Sequence, residues 1–330
     1  MSLKFFSNLE KRMMKIIIIL VARYYLKKPA LSELISIKVT TFKTGLLILM
    51  NEICYLLGLE KSFRLTSLSI EVTNHCNLHC LICPASTRMK RRKGFIDENL
   101  FRKIIDANAS LEFILPFQWG EPLLHPKIFE LIRHASAKGI RTMITTNGTI
   151  CSDQIIQQIL DSGLERLNFS IDGVGSTHTL IRGFDYGQLK ANVLKFKEAR
   201  DLKKSSVKID VSMVVFEKTE ADIEKFMEEW KDFADSIYFI PSFIAGARQK
   251  RCREMWRGNL TILWDGRVVP CCADFDAGIV VGDVTKEEIS NIWNGAKMKQ
   301  LRRLHRQGTF CGICSRCSEY VNPRANARFN

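Results

Sequence analysis

Three cysteines follow one another closely, at Cys76, Cys80 and Cys83, with the spacing Cys-x3-Cys-x2-Cys. Three thiolates on one short loop can bind a polynuclear metal centre, whereas a structural zinc site takes four protein ligands. Iron–sulfur clusters also normally take four thiolates, so three thiolates on a [4Fe–4S] cluster leave one iron open to a substrate or cofactor. His75 and His79 are candidates for a fourth ligand, but we favour their interpretation as polar loop residues beside the cluster.

A second group of cysteines lies near the C-terminus and comprises Cys252, Cys271, Cys272, Cys311, Cys314 and Cys317. The pair Asp265-Gly266 lies between two β-like runs, which predicts a hairpin that folds Cys271 back toward Cys252. A four-cysteine zinc ribbon needs similar elements, so zinc and an iron–sulfur cluster are both open on spacing alone. Clustered cysteines of this kind indicate metal or redox chemistry in a reducing compartment, here the cytoplasm.

The middle of the chain alternates short β-branched or aromatic runs with amphipathic stretches of helical length. The predicted strands are 68–73, 113–119, 141–147, 166–172, 207–215 and 235–242. The predicted helices between and after them are 97–108, 126–138, 152–162, 186–202 and 220–233. Six alternations predict an α/β fold with a parallel sheet, open or closed into a barrel, because parallel strands need crossover connections. In both architectures ligands bind at the carboxyl ends of the strands.

Small, polar or cysteine-rich loops follow the first four predicted strands. After the cysteine loop come Trp119-Gly120-Glu121-Pro122, Thr145-Thr146-Asn147-Gly148 and Ser170-Ile171-Asp172-Gly173. Each of these sequences is also common in ordinary turns. Their recurrence, each directly after a separate strand, favours a binding site at one edge of the sheet.

The cysteine loop after the first strand, together with the loops that follow, resembles the radical S-adenosylmethionine (radical SAM) superfamily over about residues 68–243. The resemblance implies a partial (β/α)6 TIM-like barrel. It also implies a SAM-binding [4Fe–4S] cluster on Cys76, Cys80 and Cys83, and SAM itself as cofactor. We therefore expect domains at 1–65 (a basic helical extension), 66–245 (the radical SAM core) and 246–330 (an iron–sulfur domain).

The same resemblance assigns residues to SAM. Gly120, Glu121 and Pro122 match the family's Gly-Gly-Glu-Pro motif, with Trp119 in place of its first glycine, and would hold the amino group of SAM. Arg182 resembles a family arginine that reaches the SAM carboxylate. The remaining residues of the predicted SAM site can hydrogen-bond the ribose hydroxyls; they are Asn147, Ser170 and Asp172.

The C-terminal part resembles a short SPASM-type auxiliary iron–sulfur domain. The matching features are Cys252, the Gly266-x4-Cys271 step, a Gly-Asp-Val turn at 282–284, an Ile-Trp pair at 292–293 and a terminal Cys-x2-Cys. The resemblance implies one auxiliary [4Fe–4S] cluster, and we assign its ligands as Cys252, Cys271, Cys314 and Cys317. Cys272 and Cys311 are alternatives. A helix is predicted near 286–306, with Ile289, Ile292 and Trp293 on its apolar side.

The basic N-terminus is the remaining feature. The chain has 330 residues and a formal net charge of +14, and its first 65 residues hold eleven Lys and Arg against four Glu. Apolar runs at 13–22 and 45–58 are too short to span a bilayer as helices. They predict two helices that lie in the plane of an anionic membrane surface, cap the catalytic domain or form a docking surface for another subunit; these interpretations are all open. Localisation is therefore predicted as cytoplasmic, with peripheral membrane contact as one alternative.

The resemblance implies an enzyme, an oxidoreductase or transferase, that cleaves SAM reductively to a 5′-deoxyadenosyl radical. This radical abstracts hydrogen from an unactivated C–H bond of a peptide, a sugar or polyol, or a lipid, with the auxiliary cluster as electron acceptor or substrate anchor. Alternatives are an RNA-modifying radical enzyme, motivated by net charge, and a non-catalytic iron–sulfur or zinc-binding electron-transfer protein. No general base or radical-relay residue is assigned, and the composition, with 46% hydrophobic and 25% charged residues, is that of an ordinary globular protein.

Two further groups of cations bear on partners. Arg302, Arg303 and Arg306 are predicted to dock an acidic electron donor such as a flavodoxin or ferredoxin. Residues 90–93, Lys-Arg-Arg-Lys, either grip an anionic substrate or form a solvated loop, and we favour the loop. No nucleic-acid partner is favoured, because the charge excess is largely N-terminal and no RNA-binding motif is visible.

Overall fold

The computed structural model describes residues 42–242, 244–245 and 248–318 of the chain. The predicted helix over 13–22 lies outside these residues, and that over 45–58 is α1 (Phe42–Leu56). Six strands form the core of the sheet: β1 (Ser67–Ile70), β2 (Phe113–Leu115), β3 (Arg141–Thr146), β4 (Arg166–Ser170), β5 (Lys208–Val215) and β6 (Ser236–Pro241). The helices among them are α2 (Pro84–Thr87), α3 (Glu98–Ala107), α4 (Ile128–Ala137), α5 (Asp153–Leu160), α6 (Ser176–Arg182), α7 (Tyr186–Leu202) and α8 (Ile223–Trp230).

Strands β1 to β6 are parallel and lie in the sheet in their order along the chain. Right-handed crossovers between strands in sequential order place every crossover helix on the same face of the sheet. The other face therefore lines a lumen, and the sheet does not close on itself. The predicted partial (β/α)6 barrel is confirmed.

The remaining elements extend this sheet. They are β7 (Ile244–Ala245), β8 (Asn259–Ile262), β9 (Arg267–Val269), β10 (Gly282–Asp283), α9 (Ile289–Trp293), α10 (Ala296–Arg306) and β11 (Cys317–Ser318). Strand β8 pairs in parallel with β1, and β9 and β10 follow antiparallel, so that one nine-stranded sheet runs from β10 to β6. Strands β7 and β11 form a separate pair.

Side chains alternate between the two faces of the sheet. In β3, Thr142, Ile144 and Thr146 are buried, whereas Arg141, Met143 and Thr145 are partly exposed. The helix-facing positions of neighbouring strands, Leu167 and Ile209 among them, are fully buried in one core with the helices. Burial of these apolar side chains is the main force that holds the layers together.

Capping side chains explain where several helices begin. Asp97 accepts a hydrogen bond from Leu100 N (3.0 Å) and Ser152 accepts one from Ile155 N (3.3 Å), as N-cap residues do. The predicted starts of α3 and α5 are thus confirmed. The predicted start at 126 is wrong, because α4 begins at Ile128.

Two other boundaries differ from prediction. Strand β2 ends before Pro116, which has no N–H to donate to the sheet. The single helix predicted over 286–306 is two helices, because the chain turns at Asn294-Gly295, where a side chain on Gly295 would lie 2.9 Å from Asn291 O. None of the described helices is both long and apolar enough to span a membrane.

Candidate iron–sulfur and cofactor site

The loop that carries Cys76, Cys80 and Cys83 follows the carboxyl end of β1. Hydrogen bonds within the loop and to the segment at Ile181 hold it in place. Thr73 Oγ1 accepts a hydrogen bond from His75 N (3.0 Å), and Leu81 N donates to Ile181 O (2.8 Å). Burial raises the pKa of Cys80 to about 11, and the nearby Cys83 and Cys76 raise it further while Arg182 opposes them. The three thiols therefore lie close enough to repel one another as thiolates. Binding of iron would remove their protons, because metal ligation requires the thiolate.

Gly120 brings the next loop against this one. Its φ is +133°, and a Cβ atom at this position would lie 2.5 Å from Thr73 O and 2.8 Å from His75 O. Glu121 N donates to His75 O (2.8 Å), so the second loop is hydrogen-bonded to the residue before Cys76. Only glycine allows this close approach of two backbones.

Glu121 joins the second loop to the third. Its carboxylate accepts hydrogen bonds from Leu123 N (3.1 Å), Thr146 Oγ1 (2.9 Å) and Asn147 N (2.7 Å). Burial raises the pKa of this side chain to about 7, although these three hydrogen bonds oppose the shift. A buried carboxylate with a raised pKa would be stabilised as an anion by a neighbouring ammonium group.

Asn147 lies beside the first cysteine. Its Nδ2 donates to Asn77 Oδ1 (2.8 Å) and lies 3.8 Å from Cys76 Sγ, while its Oδ1 accepts from Thr149. Ser170 is partly exposed at the end of β4, where its Cα pairs with that of Ser212. Both residues thus lie at the carboxyl edge of the sheet, as the sequence predicts.

Asp172 and Arg182 form a buried ion pair at the same edge. Arg182 Nε and Nη2 lie 2.9 and 2.8 Å from Asp172 Oδ2, and Asp172 Oδ1 accepts from Val214 N (2.8 Å). Arg182 interacts electrostatically with Cys80 and Cys83. The carbonyl of Arg182 lies 3.9 Å from Cys80 Sγ. This places a guanidinium group directly beside the predicted cluster loop.

His75 and His79 lie differently. His75 stacks on Phe95, with ring centroids 4.7 Å apart, and His79 is exposed. Within the described ranges, no three His, Cys, Asp or Glu side chains converge closely enough to hold a single metal ion.

Several C-terminal cysteines lie near enough to one another to interact electrostatically. Strands β8 and β9 form the predicted hairpin around Asp265-Gly266, with Gly266 at φ +89°. Burial raises the pKa of Cys271 well above its ordinary value, and Cys272, Cys252 and Cys314 raise it further. Arg248 Nη2 donates to Cys317 Sγ (3.1 Å), whereas Cys311 is exposed. Cys271 and Cys314 thus both interact electrostatically with Cys252, and Cys314 interacts with Cys317, so these four thiols are a donor set suited to an iron–sulfur cluster.

Comparison with known proteins agrees with this geometry. The family model of the radical SAM superfamily matches residues 70–229, and the model of SPASM, an iron–sulfur cluster-binding domain, matches residues 252–318. The chain belongs to the radical SAM superfamily and carries a C-terminal SPASM domain. This radical SAM enzyme therefore uses SAM, a [4Fe–4S] cluster and auxiliary iron–sulfur, and the alternative of a non-catalytic electron carrier is set aside.

Several relatives of the enzyme are known. It is 26% identical over 268 residues to the S-adenosyl-L-methionine-dependent 2-deoxy-scyllo-inosamine dehydrogenase of Niallia circulans. This match covers 79% of this chain and 94% of that protein. It is 28% identical over 172 residues to an AdoMet-dependent heme synthase of Methanosarcina barkeri, but the match spans only 48% of that protein and 52% of this chain.

Solved structures show the same fold. The structure of native anSMEcpe with bound AdoMet has a TM-score of 0.57 and 18% identity, covering 72% of this chain and 83% of that one. The structure of BtrN in complex with AdoMet and 2-DOIA has a TM-score of 0.51 and 20% identity, covering 75% and 89%.

Trp119 is a residue whose role in this radical SAM enzyme is not visible in its sequence. Its indole Nε1 donates to Cys272 O (2.9 Å), and its ring meets Phe275 edge-on with centroids 6.2 Å apart. Gln118 Nε2 donates to the same carbonyl (3.3 Å). The residue in place of the family's glycine thus connects the SAM motif to the SPASM cysteines.

Two arginines also depart from expectation. Arg91, in the predicted solvated loop, forms a buried ion pair with Glu71 and donates Nε to Phe275 O. Arg302, predicted to dock an electron donor, is fully buried and donates to the carbonyls of Met255 (2.8 Å) and Trp293 (2.9 Å). Both side chains are structural, because their charged groups are unavailable to a partner.

Proposed function

We propose that this enzyme abstracts a hydrogen atom from a C–H bond of a small polyhydroxylated substrate, a sugar or polyol, held in the barrel lumen. When bound, the [4Fe–4S] cluster and SAM supply the 5′-deoxyadenosyl radical. Cys76, Cys80 and Cys83 hold the cluster. The residues proposed to hold SAM are Gly120, Glu121, Pro122, Asn147, Ser170, Asp172 and Arg182.

The contacts of these residues support that assignment. Glu121 is a buried carboxylate that an ammonium group would stabilise, and Arg182 is a guanidinium beside Cys80 that can share its charge with a second carboxylate. Cys252, Cys271, Cys314 and Cys317 are proposed to hold one auxiliary cluster, which would accept an electron from the substrate or anchor it.

The polar lining of the lumen is the observation that carries the choice of substrate. Asn168 Nδ2 donates to Ser212 Oγ (2.8 Å) and to Thr145 Oγ1 (3.2 Å), while Asn168 Oδ1 is buried without a partner among the described residues. Cores of closed barrels are usually filled by Val, Ile and Leu. A free amide oxygen surrounded by hydroxyl groups suits a ligand that donates hydrogen bonds.

A charge pair with a buried carboxylate and a partly exposed guanidinium lies on the same face. Arg166 Nε donates to Asp210 Oδ2 (2.6 Å), and Arg166 Nη2 donates to Ser236 Oγ (3.0 Å). Tyr238 OH is 3.5 Å from the same nitrogen. An acyl chain offers no donor to Asn168 Oδ1, and a buried polar group left unpaired costs about 1–3 kcal/mol. The lining therefore disfavours a lipid in the lumen, and the similarity to an inosamine dehydrogenase over 94% of its length supports a polyol.

The first experiment tests the chemistry. The protein would be reconstituted without oxygen, its iron and sulfide counted, and 5′-deoxyadenosine measured after addition of dithionite and SAM. We expect 5′-deoxyadenosine from the wild type and none from a Cys76→Ala, Cys80→Ala, Cys83→Ala variant. Equal product from both proteins would exclude the proposal.

The second experiment tests the substrate class with deuterium-labelled polyols, amino sugars, a lipid and a peptide. We expect deuterium to move into 5′-deoxyadenosine from a polyol or amino sugar. Asn168→Leu should raise KM for that compound about tenfold or more, because one buried polar partner is lost. Thr142→Val, on the helix-facing side of β3, is the matched control. Transfer from the lipid or peptide alone would refute the polyol assignment.

A peripheral contact with the cytoplasmic membrane surface is also proposed, from the apolar surface around α1. Leu46, Ile53, Leu56, Leu57, Leu59 and Phe63 are exposed, Leu57 by 66% and Phe63 by 50%. The exposed cations Lys61 and Arg64 adjoin them. Exposed apolar side chains beside cations are typical of segments that bind anionic lipid surfaces.

Sedimentation with lipid vesicles tests this contact. We expect binding to vesicles that contain phosphatidylglycerol and weaker binding to pure phosphatidylcholine. Leu57→Ser with Phe63→Ser should abolish binding, whereas Leu202→Ser, at a leucine 88% exposed on α7, should not. Failure of the wild type to sediment would restrict the role of α1 to packing on the barrel.

A further inference from the structure

A band of exposed cations follows the cluster loop directly. Arg88, Lys90, Arg92 and Lys93 are exposed, and residues 84–96 include no Asp or Glu. The ion pairs among the described residues include none of these four side chains. Arg88 also lies over the Phe275 ring, 5.7 Å from its centre, but all four side chains are exposed and none is neutralised by an ion pair among the described residues.

This band is fixed in position. Asn74 Nδ2 donates to Arg92 O (3.0 Å), and Asn74 Oδ1 accepts from Gly94 N (2.8 Å). Lys90 N donates to Asp276 Oδ1 (2.7 Å), and Arg91 between them is held by the buried Glu71. Since Asn74 lies two residues before Cys76, the same side chain positions both the cation band and the start of the cluster loop.

Two exposed leucines lie at the cluster loop itself. Leu81, between Cys80 and Cys83, is 57% exposed, and Leu180 is 62% exposed. The hydrogen bond from Leu81 N to Ile181 O (2.8 Å) joins their two segments. We name the set Leu81, Leu180, Arg88, Lys90, Arg92 and Lys93 the cluster-side surface.

We propose that the cluster-side surface docks an acidic one-electron carrier protein of the flavodoxin or ferredoxin type. Complementary charge steers such a carrier to the band, and the leucines offer apolar contact once it arrives. Electron transfer weakens steeply with distance, so a productive carrier must dock beside Cys76, Cys80 and Cys83. The inference rests on the proposed function, because it requires a cluster on those cysteines.

The proposed transfer moves one electron from the carrier to the cluster. The carrier loses one electron, a flavodoxin passing from hydroquinone to semiquinone, and the cluster on the three cysteines gains that electron. No covalent bond in either protein forms or breaks. The docking site predicted from sequence, at Arg302, Arg303 and Arg306, offers less free positive charge, since Arg302 is buried and Arg303 pairs with Glu60.

Direct binding is the first test. The affinity of purified flavodoxin, and in a second arm of ferredoxin, for the reconstituted enzyme would be measured at low and high salt. We expect Arg92→Glu with Lys93→Glu to raise Kd about tenfold or more at low salt, and much less at high salt, because salt screens exposed charges. Lys103→Glu with Lys225→Glu, two exposed lysines on α3 and α8, gives the same charge change and should leave Kd within about twofold.

The apolar half of the surface has its own variant. Leu180→Ser should raise Kd for the carrier at low and high salt alike, since no charge is changed. In stopped-flow experiments, the carrier should reduce the cluster more slowly in both cluster-side variants, while dithionite reduces it at the wild-type rate.

The outcomes separate the two proposals. An unchanged Kd in Arg92→Glu with Lys93→Glu, an equal loss in the lysine control, or no binding of either carrier to the wild type would overturn the docking surface. A wild type that fails to cleave SAM with dithionite would instead overturn the proposed function.

Discussion

At the scale of single residues, Gly120 decides whether the second loop can reach the cysteine loop. Alanine there would carry φ +133° and place its Cβ 2.5 Å from Thr73 O, so a backbone segment must shift. We expect Gly120→Ala to lose SAM binding and most iron at the first site, measured by equilibrium dialysis and by iron counting after reconstitution. Gly139→Ala is the control, because it also has positive φ but nothing within 4 Å of the new Cβ. Equal effects of both would mean that φ alone matters.

His178 makes stability depend on pH. Burial lowers its pKa to about 3 from 6.5, and Arg182 lowers it further while Asp185 opposes the shift. The ring lies 5.6 Å from that of Tyr186, and its Nδ1 accepts from Asp172 N (3.2 Å). Between pH 6.5 and about 3, His178 is therefore protonated in the unfolded chain but not in the folded protein. The stability that comes from keeping this ring neutral is lost as the pH falls from 6.5 toward 3.

We expect this side chain to remove about 1.4 kcal/mol from the free energy of unfolding for each pH unit by which the pH falls between 6.5 and about 3. Urea unfolding of the wild type and of His178→Gln between pH 7 and pH 5 would measure it. The variant should show the shallower decline, and equal slopes would assign the pH dependence to other groups.

The proposed role of Cys76, Cys80 and Cys83 can be predicted from the sequence, because it depends on their local spacing. The loops after strands are readable for the same reason: each lies where a strand must end. Trp119 is different, since its partner Cys272 is 153 residues away and no local pattern connects them. The sequence predicts Arg91 and Arg302 as exposed cations, because their burial depends on partners that are distant along the chain.

At the scale of elements, α10 is anchored by one arginine. Arg302 donates to the carbonyls of Met255, Trp293 and Glu60, and its guanidinium lies 4.3 Å from the centre of the Trp293 ring. Burial lowers the pKa of Arg302 to about 10. The helix is thereby joined to α9 and to the loop after α1.

We expect Arg302→Ala to destabilise the protein by at least about 3 kcal/mol, because it leaves several buried carbonyls without a donor. Arg303→Ala should cost less than about 1 kcal/mol, since Arg303 is half exposed and makes a surface ion pair with Glu60. Urea unfolding of both variants measures the difference. Comparable losses would show that α10 is held by its apolar face and not by the arginine.

At the scale of the whole molecule, the SPASM segment and the barrel share one sheet. The alternation of strands and helices ends near residue 243 in the sequence, which predicts a separate domain. In the structure, β8 pairs with β1 across 192 residues of chain, and the ladder continues where Glu71 N donates to Ile262 O (2.8 Å). Sequence periodicity identifies strands but not which distant strand pairs with which.

This shared sheet predicts cooperative unfolding. The amides of β1 and β8 should exchange hydrogen with free energies of opening within about 1 kcal/mol of each other, because opening one strand removes the partner of the other. Hydrogen exchange read by mass spectrometry on the intact chain would measure both. A chain ending at residue 242 should expose the β1 edge and aggregate, since an unpaired edge recruits other strands. If β8 instead exchanged at a much lower free energy than β1, the SPASM segment would be an independent unit, and the contact between Trp119 and Cys272 would connect the two centres only transiently.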